Sequence, residues 1–350
     1  MQAHHQPPLA HRSGGLLALL LALAPAAWSG PATGNLASSS VRVLTPQERA
    51  IADSLAPVPL VDMNLRTAAT VRVSAHDRGA PKQAVQRSNL GVNAAVYAGF
   101  PTANAPLLPL PPGARQPPAL DFQTMGDSVE AWATMTAAGI PHLRLRGYGE
   151  FQADATAAWT SRFTLGGSTS KEVVLRFVVP PTVVGGNTEQ DGPAWWRARM
   201  RTDVLVNGFP AWSTEALRLR ADYQTTGAMG GAVNQPLEVL QTFGAPLAFP
   251  TDDEDAPAAP GQPSNDSNAG NVDTPSAPQV VSLSLGRFNP GQAIELMLVV
   301  RGTAFTRPSP GASSDHRCRP NAATGGFFCS RASMAVHGQQ GEAPRITLLP

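Results

Sequence analysis

The sequence predicts an all-β fold: an antiparallel β-sandwich, jelly-roll-like, with long loops and one short N-terminal helix. Three observations carry this expectation. Strict apolar alternation recurs from Val129 to the end, and a strand sends successive side chains to opposite faces. Gly and Pro clusters, drawn from 32 Gly and 34 Pro, separate the alternating runs. No helical period is sustained beyond one opening segment. Without βαβ crossovers, the apolar strand faces must cover one another, which gives stacked sheets.

The first 26 residues have the order of a secretory signal peptide: Arg12, an apolar run from Leu16 to Ala24, then the small-x-small site Ala24-Pro25-Ala26, with Ala22-Leu23-Ala24 as a second cleavage option. The run is too short for a transmembrane helix, which needs roughly 20 apolar residues. Residues 27–60 form a small, polar, flexible lead-in with one short helix in "TPQERAIADSL". Thr45 caps it, Pro46 takes its first position and Glu48 closes a capping box; Ile51 and Leu55 share a face.

Residues 61–350 are expected to form a single sandwich domain. In "SVEAWATMT", Val129, Ala131, Ala133 and Met135 share one face. "HLRLRGY", "KEVVLRFVV" and "VVSLSLG" alternate in the same way, and "ASMAVHG" and "RITLLP" are late strands. "AIELMLVV" is apolar at nearly every position, as in a strand covered on both sides. "FTLGGSTSK" reads as a hairpin turn. Pro101–Pro118 is a proline-rich surface connection, because each proline removes an N–H from any ladder. Residues 250–278, beginning with a run of acids, are read as a long mobile loop. The sequence after them is short for a second sandwich, which takes about 100 residues.

Charge and cysteine content narrow the partners. There are 26 Lys plus Arg and 25 Asp plus Glu; cleavage removes Arg12 and no acid, leaving 25 against 25. Such a balance supplies no field for nucleic acid, and the mature chain has no membrane span. The two cysteines, Cys318 and Cys329, are expected to pair as a disulfide in an oxidising compartment. His316 lies beside Cys318, but no second histidine accompanies it for a zinc site.

Leu120–Gly167 holds an Ala-rich strand and an "A-x-A-x-W-x-x-x-F" pattern before a turn, followed by "VVLRFVVP" and later "RFNPGQAIELMLVVRGTA". In these features the chain resembles a class of secreted bacterial β-sandwich proteins, the mature parts of exosortase-sorted (PEP-CTERM-type) proteins, over roughly Thr67 to Pro350. The terminal "PRITLLP" has no Pro-Glu-Pro signal, apolar span or basic tail, so retention by that route is not expected. The resemblance implies no catalytic residues.

The chemical candidates are few. "MGDSV" (Met125–Val129) contains a Gly-Asp-Ser, but no Asp-x-x-His follows to activate Ser128; a turn is the simpler reading. His76, His142, His316 and His337 are scattered over separate segments. Asp203 and Glu215 lie near strands, as an acid pair held about 5–9 Å apart would require for glycoside hydrolysis, but the sequence does not bring them together. Asp252, Asp253 and Asp255, with Asp266 and Asp273, are calcium candidates; "NDSNAGNVD" lacks the glycine placement and closing Glu of an EF-hand. Trp195, Trp196 and Trp212 are candidate sugar platforms, with Arg197, Arg199 or Asp203 supplying polar contacts. Neighbouring residues of a strand face opposite ways, so one of Trp195 and Trp196 would fill the core and the other point outward unless a loop covers it. Trp132 and Trp159 are expected near sheet surfaces.

The sequence thus predicts an exported, non-catalytic structural or binding module without a cofactor, calcium being the one ion considered. A polysaccharide or cell-surface component is the partner considered. A carbohydrate-binding sandwich using the tryptophans is the alternative, and an extracellular hydrolase with unassembled carboxylates is a second.

Overall fold

The computed structural model describes residues 41–58, 63–77, 80–100, 128–187, 194–226, 232–244, 247, 276–308, 319–320, 327–328, 331–338 and 343–350. In chain order these residues form β1 (Arg42–Val43), α1 (Pro46–Ser54), β2 (Asn64–Asp77), β3 (Ala80–Gly91), β4 (Ala94–Phe100), β5 (Ser128–Met135), β6 (Pro141–Tyr148), β7 (Phe151–Thr164), β8 (Lys171–Val179) and β9 (Thr182–Asn187). There follow β10 (Ala194–Val206), β11 (Phe209–Thr226), β12 (Ala232–Gly244), β13 (Gln279–Phe288), β14 (Ala293–Pro308), β15 (Arg319–Pro320), β16 (Phe327–Phe328), β17 (Arg331–His337) and β18 (Arg345–Leu349). The described residues are all-β with one short helix, in antiparallel sheets. A seven-stranded sheet runs β12-β11-β10-β14-β7-β2-β3, a five-stranded one β4-β5-β6-β17-β9 and a four-stranded one β1-β13-β8-β18.

Alternation builds the layers. On β10, Trp196, Ala198, Met200, Val204 and Val206 are buried; on β7, Phe151, Ala153, Ala155, Ala157 and Trp159 are. Opposite them, the five-stranded sheet turns Val129, Ala131, Ala133 and Met135 of β5 and Leu143 and Leu145 of β6 inward, all essentially without exposure. Each large side chain so buried contributes about 1.5–3 kcal/mol. The layers approach closely at Gly147 of β6, where a Cβ would fall 2.5 Å from the Phe151 ring. The four-stranded sheet joins the same core through Phe177 of β8, whose ring meets Trp212 of β11 edge-on at 5.2 Å between centroids.

The β10–β11 hairpin closes through Asn207-Gly208, with φ of 51° and 83°. Two consecutive positive φ angles are what a tight primed turn needs, and Asn-Gly adopts them at little cost. Asn207 also joins β14: its N–H donates to the Glu295 carbonyl and the Glu295 N–H to Asn207 Oδ1, both at 2.8 Å. That contact locks the register of three adjacent strands.

The helix has the cap its sequence predicts. Thr45 Oγ1 accepts from the Glu48 N–H at 3.4 Å, and Glu48 Oε2 accepts from the Thr45 N–H at 2.9 Å. Its buried side differs from expectation. Ala52 packs with Leu44, Val174 and Leu349, while Ile51 remains 56% exposed. The small Ala52 lets the helix lie close against β8, and Ile51 points away from that contact.

Two further expectations are corrected, those for residues 163–171 and for Trp159. "FTLGGSTSK" is not a hairpin: β7 pairs with β14 and β2, and β8 with β13 and β18, so residues 165–170 carry the chain from one sheet to another. Of the stretch 250–278, residues 250–275 lie outside the described residues; at its end Ser276 is buried. Its N–H donates to the Thr182 carbonyl at 2.8 Å, and its Oγ accepts from the Thr182 N–H at 3.1 Å. Trp159 lies in the core between layers, where its Nε1 donates to the Ala137 carbonyl at 3.1 Å.

Candidate ligand-binding face

β10 carries the candidate site because its two faces differ in chemistry. Trp196 is 1% exposed, so it belongs to the core and offers no ring face to a sugar. Alternation then places positions 195, 197, 199, 201 and 203 on the outer face of the seven-stranded sheet. The Trp195 side chain is outside the described residues; its backbone registers opposite Arg307 of β14 and Ala221 of β11. Trp212 is half-buried against Phe177 and belongs to the packing between sheets.

Register assembles the outer face from distant parts of the chain. Arg197 lies opposite Phe305, Arg199 opposite Thr303 and Arg201 opposite Arg301 on β14; on the other side Arg199 faces Leu217 and Arg201 faces Glu215 of β11. Over residues 197–203, 213–219 and 301–307 the outward positions hold five arginines (197, 199, 201, 301 and 307) and two carboxylates, Asp203 and Glu215.

The carboxylates are clamped by part of this set. Arg199 Nη2 donates to Glu215 Oε2 at 2.6 Å. Arg201 Nε donates to Asp203 Oδ1 at 2.8 Å, and its Nη1 lies 3.7 Å from Glu215 Oε2. Arg301 Nη1 donates to the other oxygen of Asp203, whose side chain is only 8% exposed. Burial lowers Arg301 from the ordinary guanidinium value, against the pull of Asp203.

Arg197 and Arg307 stand apart. Neither has a hydrogen-bonded carboxylate among the described residues, and their Nε atoms, like that of Arg199, have no acceptor. The Arg307 guanidinium sits 5.5 Å from the centroid of the Phe305 ring, a cation–π distance that holds the head over the sheet. Burial, and then the like charge of Arg199, lower Arg197 from its ordinary value.

Asp154 of β7 borders this patch. Its Oδ2 accepts from Gln152 Nε2 at 2.9 Å and its Oδ1 from Thr303 Oγ1 at 3.0 Å. Burial raises its carboxyl above the ordinary value despite these bonds and nearby Arg72.

The remaining sequence candidates separate. The calcium candidates Asp252, Asp253, Asp255, Asp266 and Asp273 lie outside the described residues, as do Cys318, Cys329, His316 and Met125–Asp127; among the described residues no group of three or more His, Cys, Asp and Glu side chains is arranged to hold a metal ion. Ser128 opens β5, and His76 bonds Ser74 Oγ at 2.9 Å. His142 and His337 are not scattered: β6 and β17 pair them in register. Asp203 and Glu215 do come together on neighbouring strands, with Arg201 between them.

The sequence reading missed Asp154, Arg301, Thr303, Phe305 and Arg307. The signal was the alternation in "RGTAFTR", whose odd-numbered positions Arg301, Thr303, Phe305 and Arg307 share the outer face. The five-stranded sheet also has a buried polar pair on its outward side: Tyr97 Oη donates to Glu130 Oε1 at 2.7 Å, and burial, then this bond, raise the Tyr97 hydroxyl.

No family model matches the chain, and no curated protein matches its sequence.

Proposed function

We propose that the chain is an exported, non-catalytic binding module whose contact surface is the outer face of the seven-stranded sheet. The observation that supports this reading is the excess of arginine over carboxylate across β10, β11 and β14, with Arg197 and Arg307 left without a hydrogen-bonded carboxylate among the described residues. Charged groups on a rigid sheet are held in fixed relative positions, which suits recognition of a repeating surface. Export rests on the N-terminal signal pattern, and kinship with exosortase-sorted sandwich proteins rests on the strand motifs of residues 67–350. A disulfide between Cys318 and Cys329, expected from the sequence, would accord with the same compartment.

The hydrolase reading is weaker. A glycosidase pair needs space for a substrate oxygen between its carboxylates. Asp203 and Glu215 have the Arg201 guanidinium there instead.

The test is sedimentation of the mature chain with insoluble cell-wall and surface-polysaccharide material. Arg197→Glu combined with Arg307→Glu is expected to abolish retention, while Arg345→Glu, at an exposed position on β18, leaves it intact. Equal retention of all three proteins would overturn the assignment of this face. Fractionation that finds the full-length chain in the cytosol would overturn export.

A further inference from the structure

The chemistry of this face narrows the class of ligand, an inference that rests on the binding reading above. We propose that the ligand is a carboxylate-bearing polysaccharide, a polyuronate, whose carboxylates are taken by Arg197 and Arg307.

The cations are placed for this. Arg197 and Arg307 flank Phe305, one directly across the strand pair and the other two residues along β14. Residues two apart on a strand lie about 6.6–6.8 Å apart, and directly opposite residues about 4.5–5.5 Å. Arg197 and Arg307 are therefore diagonal neighbours across the strand pair, with positions about 7–8 Å apart. Phe305 restrains Arg307 through the 5.5 Å ring contact, so less side-chain freedom is lost when an anion arrives. A guanidinium fork matches a carboxylate in bidentate geometry. Arg197 already carries like-charge repulsion from Arg199, which a bound anion relieves.

The interleaved acids select among anions. Asp203, Glu215 and Asp154 lie on the same face as the arginines. A polyphosphate is charged at every phosphorus of a short repeat and has no hydroxyls along its chain, so these carboxylates repel it, whereas a polyuronate spaces one carboxylate per sugar ring. A uronate carries its charge on one carbon and hydroxyls around the ring. The charge meets arginine, while the hydroxyls donate to Glu215. A neutral glycan would satisfy the acceptors and leave the Arg197 and Arg307 guanidinium groups without a carboxylate to bond. The chain as a whole carries a net charge of +1, so it has no long-range field to gather polyanions indiscriminately.

Calorimetric titration of the mature chain tests this with three probes: polygalacturonate, its methyl-esterified form and inorganic polyphosphate. Polygalacturonate is expected to bind, with at least a tenfold loss on esterification and at least a tenfold weaker affinity for polyphosphate. Arg197→Gln combined with Arg307→Gln is expected to reduce polygalacturonate binding at least tenfold with the melting temperature retained. Should that variant fail to fold, Arg197→Lys keeps the charge but loses the fork, and about a threefold loss is expected. Equal binding of the ester, equal binding of polyphosphate, or arginine variants with unchanged affinity would each overturn the inference. If no probe binds but the sedimentation assay still depends on Arg197 and Arg307, the polyuronate is wrong and the binding face stands. If both assays are negative, both readings fall.

Discussion

The two faces of β10 share a backbone and have little else in common. Inward, Trp196, Ala198, Met200, Thr202 and Val204 are sealed against the opposing layer. Outward, Arg197, Arg199, Arg201 and Asp203 form a charged grid with β11 and β14. Inward contacts remove large apolar areas from water and exclude volume changes; outward ion pairs remain partly hydrated and contribute little each. Stability therefore resides chiefly on one side of the sheet.

Substituting Trp196 is the strongest way to break this division. Trp196→Ala is expected to cost about 3–5 kcal/mol in denaturant unfolding, because a large cavity opens between layers. Trp196→Phe is expected to cost much less: the indole Nε1 is buried without an acceptor, so the change removes an unsatisfied donor along with some volume. Arg201→Ala, in the adjacent position on the other face, is expected to cost less than about 1 kcal/mol. An Arg201→Ala loss equal to that of Trp196→Ala would mean the outer face is structural.

Asp203 is the exception that sharpens the comparison. It lies outward yet is nearly enclosed, bonded by Arg201 and Arg301. Asp203→Ala removes the acceptor these two cations share, leaving Arg201 with Glu215 alone at 3.7 Å, and about 1–3 kcal/mol of destabilisation is expected. Adding Arg301→Ala is expected to recover part of that loss. A double variant no better than the single one would show that Arg301, left without its acceptor, is not the cause.

Asp154→Asn should act in the opposite direction. Burial raises the folded-state value of Asp154 above the unfolded one, so its carboxylate disfavours folding once ionised. The native protein is then favoured below the ordinary value of 3.8 and loses that advantage as pH rises through the raised folded value. Asparagine does not titrate. The variant is expected to melt roughly 1–3 °C higher than the parent at neutral pH, and the difference should vanish below pH about 3.8. A difference independent of pH would assign the effect to hydrogen bonding.

Much of the fold was legible because alternation is local. Val129–Met135, Val173–Val179, Val281–Leu285 and the late strands show their inner faces within a few residues. The long strands β2, β3, β11 and β12 were harder, since "NLRTAATVRVSAHD" and "FPAWSTEALRLRADYQTT" mix small and polar residues on both faces. Asn207-Gly208 was an available hairpin signal that would have paired β10 with β11. The candidate face was only half visible. Arg197, Arg199 and Asp203 adjoin the tryptophans in sequence, but Arg301, Phe305 and Arg307 arrive through pairing with a strand about a hundred residues away. Asp203 and Glu215 met for the same reason, and no local pattern records such a register. Trp196 against Trp195 was a choice of phase that only the packed layers decide.

The smallest expected effect concerns a charge pair far from either face of β10. Glu48 is exposed, and its carboxyl is lowered to about 2, first by the Arg42 hydrogen bonds at 2.6 and 2.7 Å, then by the Thr45 N–H and hydroxyl. A lowered carboxyl contributes stability that is fully present above the ordinary value of 4.5 and is lost as pH falls from there toward about 2. Because the group is solvated, its loss is expected to fray α1 without melting the sheets. Amide exchange at Ile51–Leu55 should accelerate over that window beyond its intrinsic pH dependence, while exchange at β10 and β14 keeps its protection. Glu48→Gln should bring the same fraying to neutral pH and remove the extra acceleration on acidification. Loss of protection in β14 over the same window would show that exposed charge supports the sandwich, and the separation drawn between the two faces of β10 would fail with it.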